Sequence, residues 1–191
     1  PEVDARDYGS LVEHFKGQDV VIHLALNPGK TPTRENPRTG LYDVDNSLMT
    51  YNVYRAAEEV GVKRVIMASS VHADDFYNWK RKGLLSVDKI PTPTTPYGAN
   101  KVFMETLGRY YGRRGLEVIC VRFGGINMAD KPPENDHWEE VVWLSQKDCI
   151  TMISACLTTE SVPDNFALFY AVSNNENRIH DTSNPIGWKA E

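Results

Sequence analysis

Arg64-Val65-Ile66-Met67-Ala68-Ser69-Ser70 is the stretch on which the fold turns. Its apolar residues run on without polar alternation and end at two serines, which reads as a strand buried on both faces. A helix leads into it: Leu41, Val44, Leu48, Tyr51 and Ala57 recur at three-and-four spacing and stop near Gly61. The same alternation extends outward on both sides. Upstream, Leu11, Val12 and Phe15 mark a helix on Tyr8 to Lys16, before the β-branched run Val20-Val21-Ile22-His23-Leu24. Downstream, Ala99, Phe103, Leu107 and Tyr110 mark a long helix that starts at Tyr97 and is closed by Gly115, and Glu117 to Arg122 is the next strand. Ser145, with Asp148 three residues on, opens a weaker helix before a strand at Phe166 to Val172. Apolar strands separated by helices predict an α/β fold, a doubly wound parallel sheet of Rossmann-like type, as one domain over residues 1–191.

Composition narrows the classes of function. A formal net charge of −5 argues against a nucleic-acid partner, because duplex or single-strand binding needs clustered Lys and Arg to displace counterions. Cys120, Cys149 and Cys156 have neither CxxC nor Cys/His spacing and read as reduced structural thiols, and no metal set is spaced around His137 or His180. No apolar run approaches the roughly 18 residues of a membrane helix, and Pro1 to Asp7 lacks a signal-peptide core, so no membrane partner and a cytoplasmic location are expected. Pro91, Pro93 and Pro96 bar helix before Tyr97. Gly124 to Glu140 is longer than most connections and reads as a substrate loop or as disordered.

Tyr97 and Lys101 stand four residues apart at a helix start, which stacks both side chains on one face about one turn apart. A tyrosine serves as a general base near neutral pH only if its pKa of about 10 falls by about 2 to 3 units, roughly 3 to 4 kcal/mol of preference for the phenolate. A cation about 4 Å away supplies roughly that amount at an effective dielectric near 20. By itself the pair arises easily by chance. Its place changes that reading, because it follows a strand ending in Ser70, and parallel sheets bind ligands at their carboxyl ends.

Ser69-Ser70 after a strand, then Pro96-Tyr97-Gly98-Ala99-Asn100-Lys101, resembles the Ser/Tyr/Lys triad of the extended short-chain dehydrogenases, the NAD-dependent epimerase/dehydratase family. The resemblance implies Ser70, Tyr97 and Lys101 as catalytic residues and Asn46 as the helix asparagine that supports the lysine through water. It implies an NAD or NADP cofactor contacted by Asp4 at the adenine, by Leu24, Ala25 and Leu26 at the strand end, and by Tyr97 and Lys101. Within the family the chain is similar to uronate dehydrogenases and related sugar or sugar-phosphate dehydrogenases, through Ala68-Ser69-Ser70 with His72, Leu107 to Tyr111, Trp143-Leu144-Ser145 with Asp148, Ser173-Asn174-Asn175 and Gly187-Trp188. A sugar-like substrate is then expected at Ser70, His72, Arg122 and Gly125, with His137 near a polar group and further elements from 124–165 and 173–191. Two positions depart from that pattern. Val71 stands where uronate dehydrogenases have a substrate asparagine, and Trp138 where an arginine clamps the carboxylate, a task for which an aromatic ring is no substitute.

The family's Gly-rich cofactor turn has no counterpart here, since only Gly9 and Gly17 precede the first strand. The resemblance thus implies a missing first βαβ portion of roughly 40 to 60 residues and an exposed sheet edge. A truncated product, an unseen stretch and a natural short form stabilised by self-association all account for it. Several residues carry two readings: His23 as core or ligand, His72 as substrate contact or loop packing, and Phe76, Tyr77 and Trp79 as a sugar-stacking wall or loop packing. Phe103, Leu107 and Tyr110 fit either the core or a homodimer seam. Lys80 to Lys82 reads as a solvated charge run. The expected function is an NAD(P)-dependent oxidoreductase acting on a sugar or sugar-acid hydroxyl; the alternatives are a nucleotide-sugar epimerase or dehydratase, or a non-catalytic binding module.

Overall fold

The computed structural model describes residues 3–27, 44–79, 83–134 and 136–191, with backbone alone for 76–79. Four parallel strands form one sheet in the order β1 (Val20–His23), β2 (Arg64–Ser70), β3 (Glu117–Phe123) and β4 (Phe166–Ala171). The apolar runs become strands because both faces are covered. On one face Val65, Met67, Val118 and Cys120 pack under α1 (Tyr8–Phe15), α2 (Asp45–Val60) and α3 (Pro96–Gly112). On the other, Ile66, Ile119, Val121 and Phe169 pack under Met152 and Cys156 of a later helix, Gln146–Thr158, and under Trp188 of the C-terminal tail. Full burial of side chains of this size contributes about 1.5 to 3 kcal/mol each. The expected doubly wound α/β architecture is present.

Local signals fix where the helices begin and end. Asp7 caps α1 by accepting from the Ser10 backbone N–H at 3.1 Å, and Thr95 caps α3 at Gly98, with Pro96 in the first turn where its missing N–H costs nothing. Gly61 ends α2 at φ 78°, a left-handed conformation that glycine adopts without strain. The described residues of Gly124 to Glu140 are held by specific contacts. Gly125 pairs with Trp143, Asn127 Nδ2 donates to the Lys131 carbonyl at 2.7 Å, and α4 (His137–Val141) is capped by Asp136. The helix Gln146–Thr158 is then α5, capped by Ser145 as its spacing predicts.

The helical stripes differ from expectation. Leu41 lies outside the described residues, Val44 is the N-cap of α2, and Leu48, Tyr51, Phe103 and Tyr110 are each at least 40 % exposed. α3 turns Lys101, Met104, Glu105, Gly108 and Tyr111 inward instead. Among the described residues β1 is an edge strand with Ile22 exposed.

Candidate active site

β2 delivers the serine. Ser70 is its last residue, at the carboxyl end of the sheet, and the backbone N–H of His72 donates to Ser70 Oγ at 3.2 Å. That bond occupies the oxygen and leaves the hydroxyl proton without an acceptor among the described residues. From Val71 to Trp79 the chain forms a 3-10 segment that kinks at Asp74, and His72 Nδ1 lies 3.0 Å from both carboxylate oxygens of Asp75.

α3 delivers the tyrosine and the lysine. It reaches the serine segment because residue 98 is glycine: a Cβ there would stand 2.2 Å from the His72 carbonyl oxygen. The adjoining Tyr97 presents its ring at 73° to the His72 ring, with centroids 6.0 Å apart. One turn on, Lys101 Nζ donates to the Ala68 carbonyl at 2.6 Å and lies 5.4 Å from the Tyr97 ring centroid. Lys101 is buried, and that burial lowers its pKa to about 8, so the ammonium persists at neutral pH. Ser70, His72, Tyr97 and Lys101 therefore meet at one end of the sheet.

The other expected residues divide. His23 ends β1 in register with Met67, and burial, with Lys101 adding to it, holds its pKa down to about 4, so the imidazole is neutral. Leu24, Ala25 and Leu26 follow it as exposed residues. Asn46 grips the chain beyond them: its side chain accepts from the Asn27 N–H at 2.8 Å and donates to the Asn27 carbonyl at 2.7 Å. Asp4 lies on the surface, its carboxyl held down to about 2 by the Arg6 guanidinium. The side chains of Phe76, Tyr77 and Trp79, and Lys80 to Lys82, lie outside the described residues.

Arg122 and Gly125, the other residues expected at the substrate, are held within the fold. Arg122 lies on the sheet face beneath α3, fully buried, where Glu105 takes its Nε and Nη2 at 2.8 Å each and Tyr170 takes Nη1 at 2.7 Å. Gly125 donates its N–H to Val142 and accepts from the Leu144 N–H, so its backbone is spent on the connection to α5. His137 is largely exposed beside Glu140. Trp138, half-buried, sets its ring 6.3 Å from that of His72.

The spacing of apolar residues missed Glu105, Asp74 and Asp75. The signal for Glu105 was present: it falls four residues beyond Lys101 on the same face, opposite a lone arginine in an apolar strand.

The model of the NAD dependent epimerase/dehydratase family matches residues 1–126. The chain belongs to that family. Among its relatives, an L-arabinose 1-dehydrogenase (NAD(P)(+)) of Haloferax volcanii is 35 % identical over 98 % of this chain and 80 % of its own length. A uronate dehydrogenase of Pseudomonas syringae is 28 % identical, and the match takes in 91 % of this chain but 58 % of that protein. The solved uronate dehydrogenase from Agrobacterium tumefaciens superposes over the whole chain and 68 % of its own, with a TM-score of 0.80 at 26 % identity. The family's fold therefore accounts for the sheet, and the meeting of serine, tyrosine and lysine at its carboxyl end occurs within that frame.

Proposed function

We propose that the chain carries the proton-transfer machinery of an NAD(P)-dependent dehydrogenase that oxidises a hydroxyl group of a sugar or sugar acid. The observation that carries this reading is the buried Lys101 ammonium, fixed to the Ala68 carbonyl one helical turn from Tyr97 and beside the strand that ends in Ser70.

Tyr97, as phenolate, takes the proton of the sugar hydroxyl. Lys101 stabilises that phenolate, and its two remaining N–H bonds suit ribose hydroxyls. Ser70, with its oxygen held by the His72 N–H, donates its proton to the reacting oxygen and orients it. NAD or NADP, when bound, supplies the acceptor for the hydride that leaves the same carbon, so the hydroxyl becomes a carbonyl. The residues present fit the cofactor in part. The exposed Leu24, Ala25 and Leu26 offer an apolar surface at the strand end, and Asp4 is an exposed acceptor for the adenine.

His72, braced by Asp75, faces the same space as Tyr97 and is the substrate contact of this reading, with elements from 124–165 and 173–191 completing the pocket. Leu48 and Tyr51 of α2 and Phe103 and Tyr110 of α3 are exposed apolar residues on neighbouring helices, which supports a homodimer seam there. Cys120 and Cys156 are buried free thiols, which supports a cytoplasmic site of action.

The test is incubation of the protein with NAD and with NADP, each against L-arabinose, D-glucuronate and a hexose phosphate. Reduction of the cofactor by at least one sugar is expected. Interconversion of epimers without net reduction indicates the epimerase reading, and absence of both cofactor binding and turnover contradicts either enzyme.

A further inference from the structure

Asp74 is a buried carboxylate that the proton transfer does not use. Its position on the kink of the Val71–Trp79 segment, at φ −144° and ψ 49°, is two residues beyond His72 and four beyond Ser70. Oδ1 accepts from the Thr92 backbone N–H at 3.0 Å, in the proline-bearing approach to α3. Oδ2 has no hydrogen-bond partner among the described residues and faces Arg122 Nη1 at 3.9 Å, with both side chains fully buried. Glu105 already neutralises Arg122 through a two-pronged bond, so two carboxyl groups share one buried guanidinium. Burial, in the first place, raises the Asp74 pKa, with the Thr92 bond and Arg122 opposing.

A carboxyl group so placed costs stability, and an apolar residue of similar size would fill the volume at lower cost. What the carboxyl group adds is a fixed distance. It ties the segment behind Ser70 and His72 to the segment ahead of Tyr97, and braces both against the sheet through Arg122. The segments have no slack where they meet, because the Gly98 Cα sits against the His72 carbonyl. A second tie runs from Thr94 Oγ1 to Asp75 Oδ2 at 3.3 Å, and Asp75 also holds His72. Ser70 and Tyr97 therefore stand at the two ends of a clamp whose central bond is Asp74 to Thr92.

We propose that Asp74 is a positioning residue: bonded to Thr92 and backed by Arg122, it sets the separation between the Ser70 hydroxyl and the Tyr97 phenol. The proposal rests on the oxidoreductase reading above.

The experiment compares Asp74→Ala, Asp74→Asn and Thr92→Pro in the full chain, with Tyr97→Phe alongside. Thr92 lies between Pro91 and Pro93, where extended backbone is favoured, so proline removes the donor N–H together with the exposed Thr92 Oγ1 bond to the Ile90 carbonyl. Asp74→Ala and Thr92→Pro should each lower kcat by about 10- to 100-fold, the cost of a small misplacement of reacting groups, with cofactor affinity nearly unchanged. The isotope effect with substrate deuterated at the reacting carbon should rise, because chemistry then limits the rate. Asp74→Asn keeps an oxygen for Thr92 and should recover most of kcat, and the Ala/Pro double variant should be no worse than either alone. A lower melting temperature with wild-type kcat and isotope effect per folded molecule, or an Asp74→Asn as impaired as Asp74→Ala, overturns the proposal. Turnover retained by Tyr97→Phe overturns instead the reading on which it rests.

Discussion

Two buried Arg–Glu pairs brace the sheet at opposite ends, and only one of them touches the candidate site. At the amino end Arg64 donates Nε and Nη2 to Glu117 Oε2 at 2.9 and 2.7 Å. Its other N–H groups go to the carbonyls of Cys156, Leu157 and Thr159, and Glu117 Oε1 accepts from the Val162 N–H. Every group in that cluster is satisfied, and the cluster closes the C-terminal end of α5. At the carboxyl end Arg122 donates Nε and Nη2 to the two separate oxygens of Glu105, with Ser69 Oγ donating to Glu105 at 2.5 Å, but Asp74 adds a carboxyl oxygen without a hydrogen-bond partner among the described residues. The amino-end pair joins a helix end to a strand start. The carboxyl-end pair joins β3 to the helix that carries Tyr97, and Ser69 links it to the strand that ends in Ser70. Burial of an ion pair is thus no mark of function, and the elements it joins decide what its loss does.

The contrast is broken most severely at Lys101. Lys101→Met should reduce turnover by about a thousandfold, the scale of losing an assisted proton transfer. The same change should stabilise the fold by up to about 3 kcal/mol at neutral pH in a urea titration. The sign follows from the pKa: the folded state holds this proton less tightly, about 8 against 10.5, so the penalty is complete below pH 8 and vanishes above 10.5. In the wild type, turnover should decline as pH rises through about 8.

Arg64→Met should show the reverse pattern, a loss of about 3 to 5 kcal/mol from stranding Glu117, with turnover per folded molecule unchanged. A matching loss of turnover would erase the distinction between the two ends. His23 sharpens the comparison through acid. Its pKa is lowered from 6.5 to about 4, so stability is complete above pH 6.5 and should fall by about 3 kcal/mol as pH drops to 4. His23→Gln should flatten that slope in melting temperatures measured across this range. Gly98→Ala should force α3 from the His72 carbonyl and lower kcat about tenfold or more, with a loss of about 1 to 3 kcal/mol in stability.

Strands were legible in the sequence because a two-faced core admits only apolar runs, and Val20, Arg64, Glu117 and Phe166 begin strands where the pattern begins. The proximity of Tyr97 and Lys101 was legible because four-residue spacing fixes a shared helix face. The core face of α3 was not: Lys101, Glu105 and Gly108 point inward, whereas Phe103 and Tyr110, the apolar residues that define the stripe, are exposed. Periodicity assigns polar residues outward and cannot anticipate a helix whose buried face holds a salt bridge. The Glu105 partner of Arg122 was hidden for the same reason, since a lone arginine in a strand suits a ligand as well as a buried glutamate, and the pairing follows from the packing of α3 on β3.

The central claim is tested most directly by measuring turnover and NAD(P) affinity together in Tyr97→Phe. The account predicts cofactor binding within a few-fold of wild type and turnover lowered by about a thousandfold or more. Turnover close to wild type would contradict it.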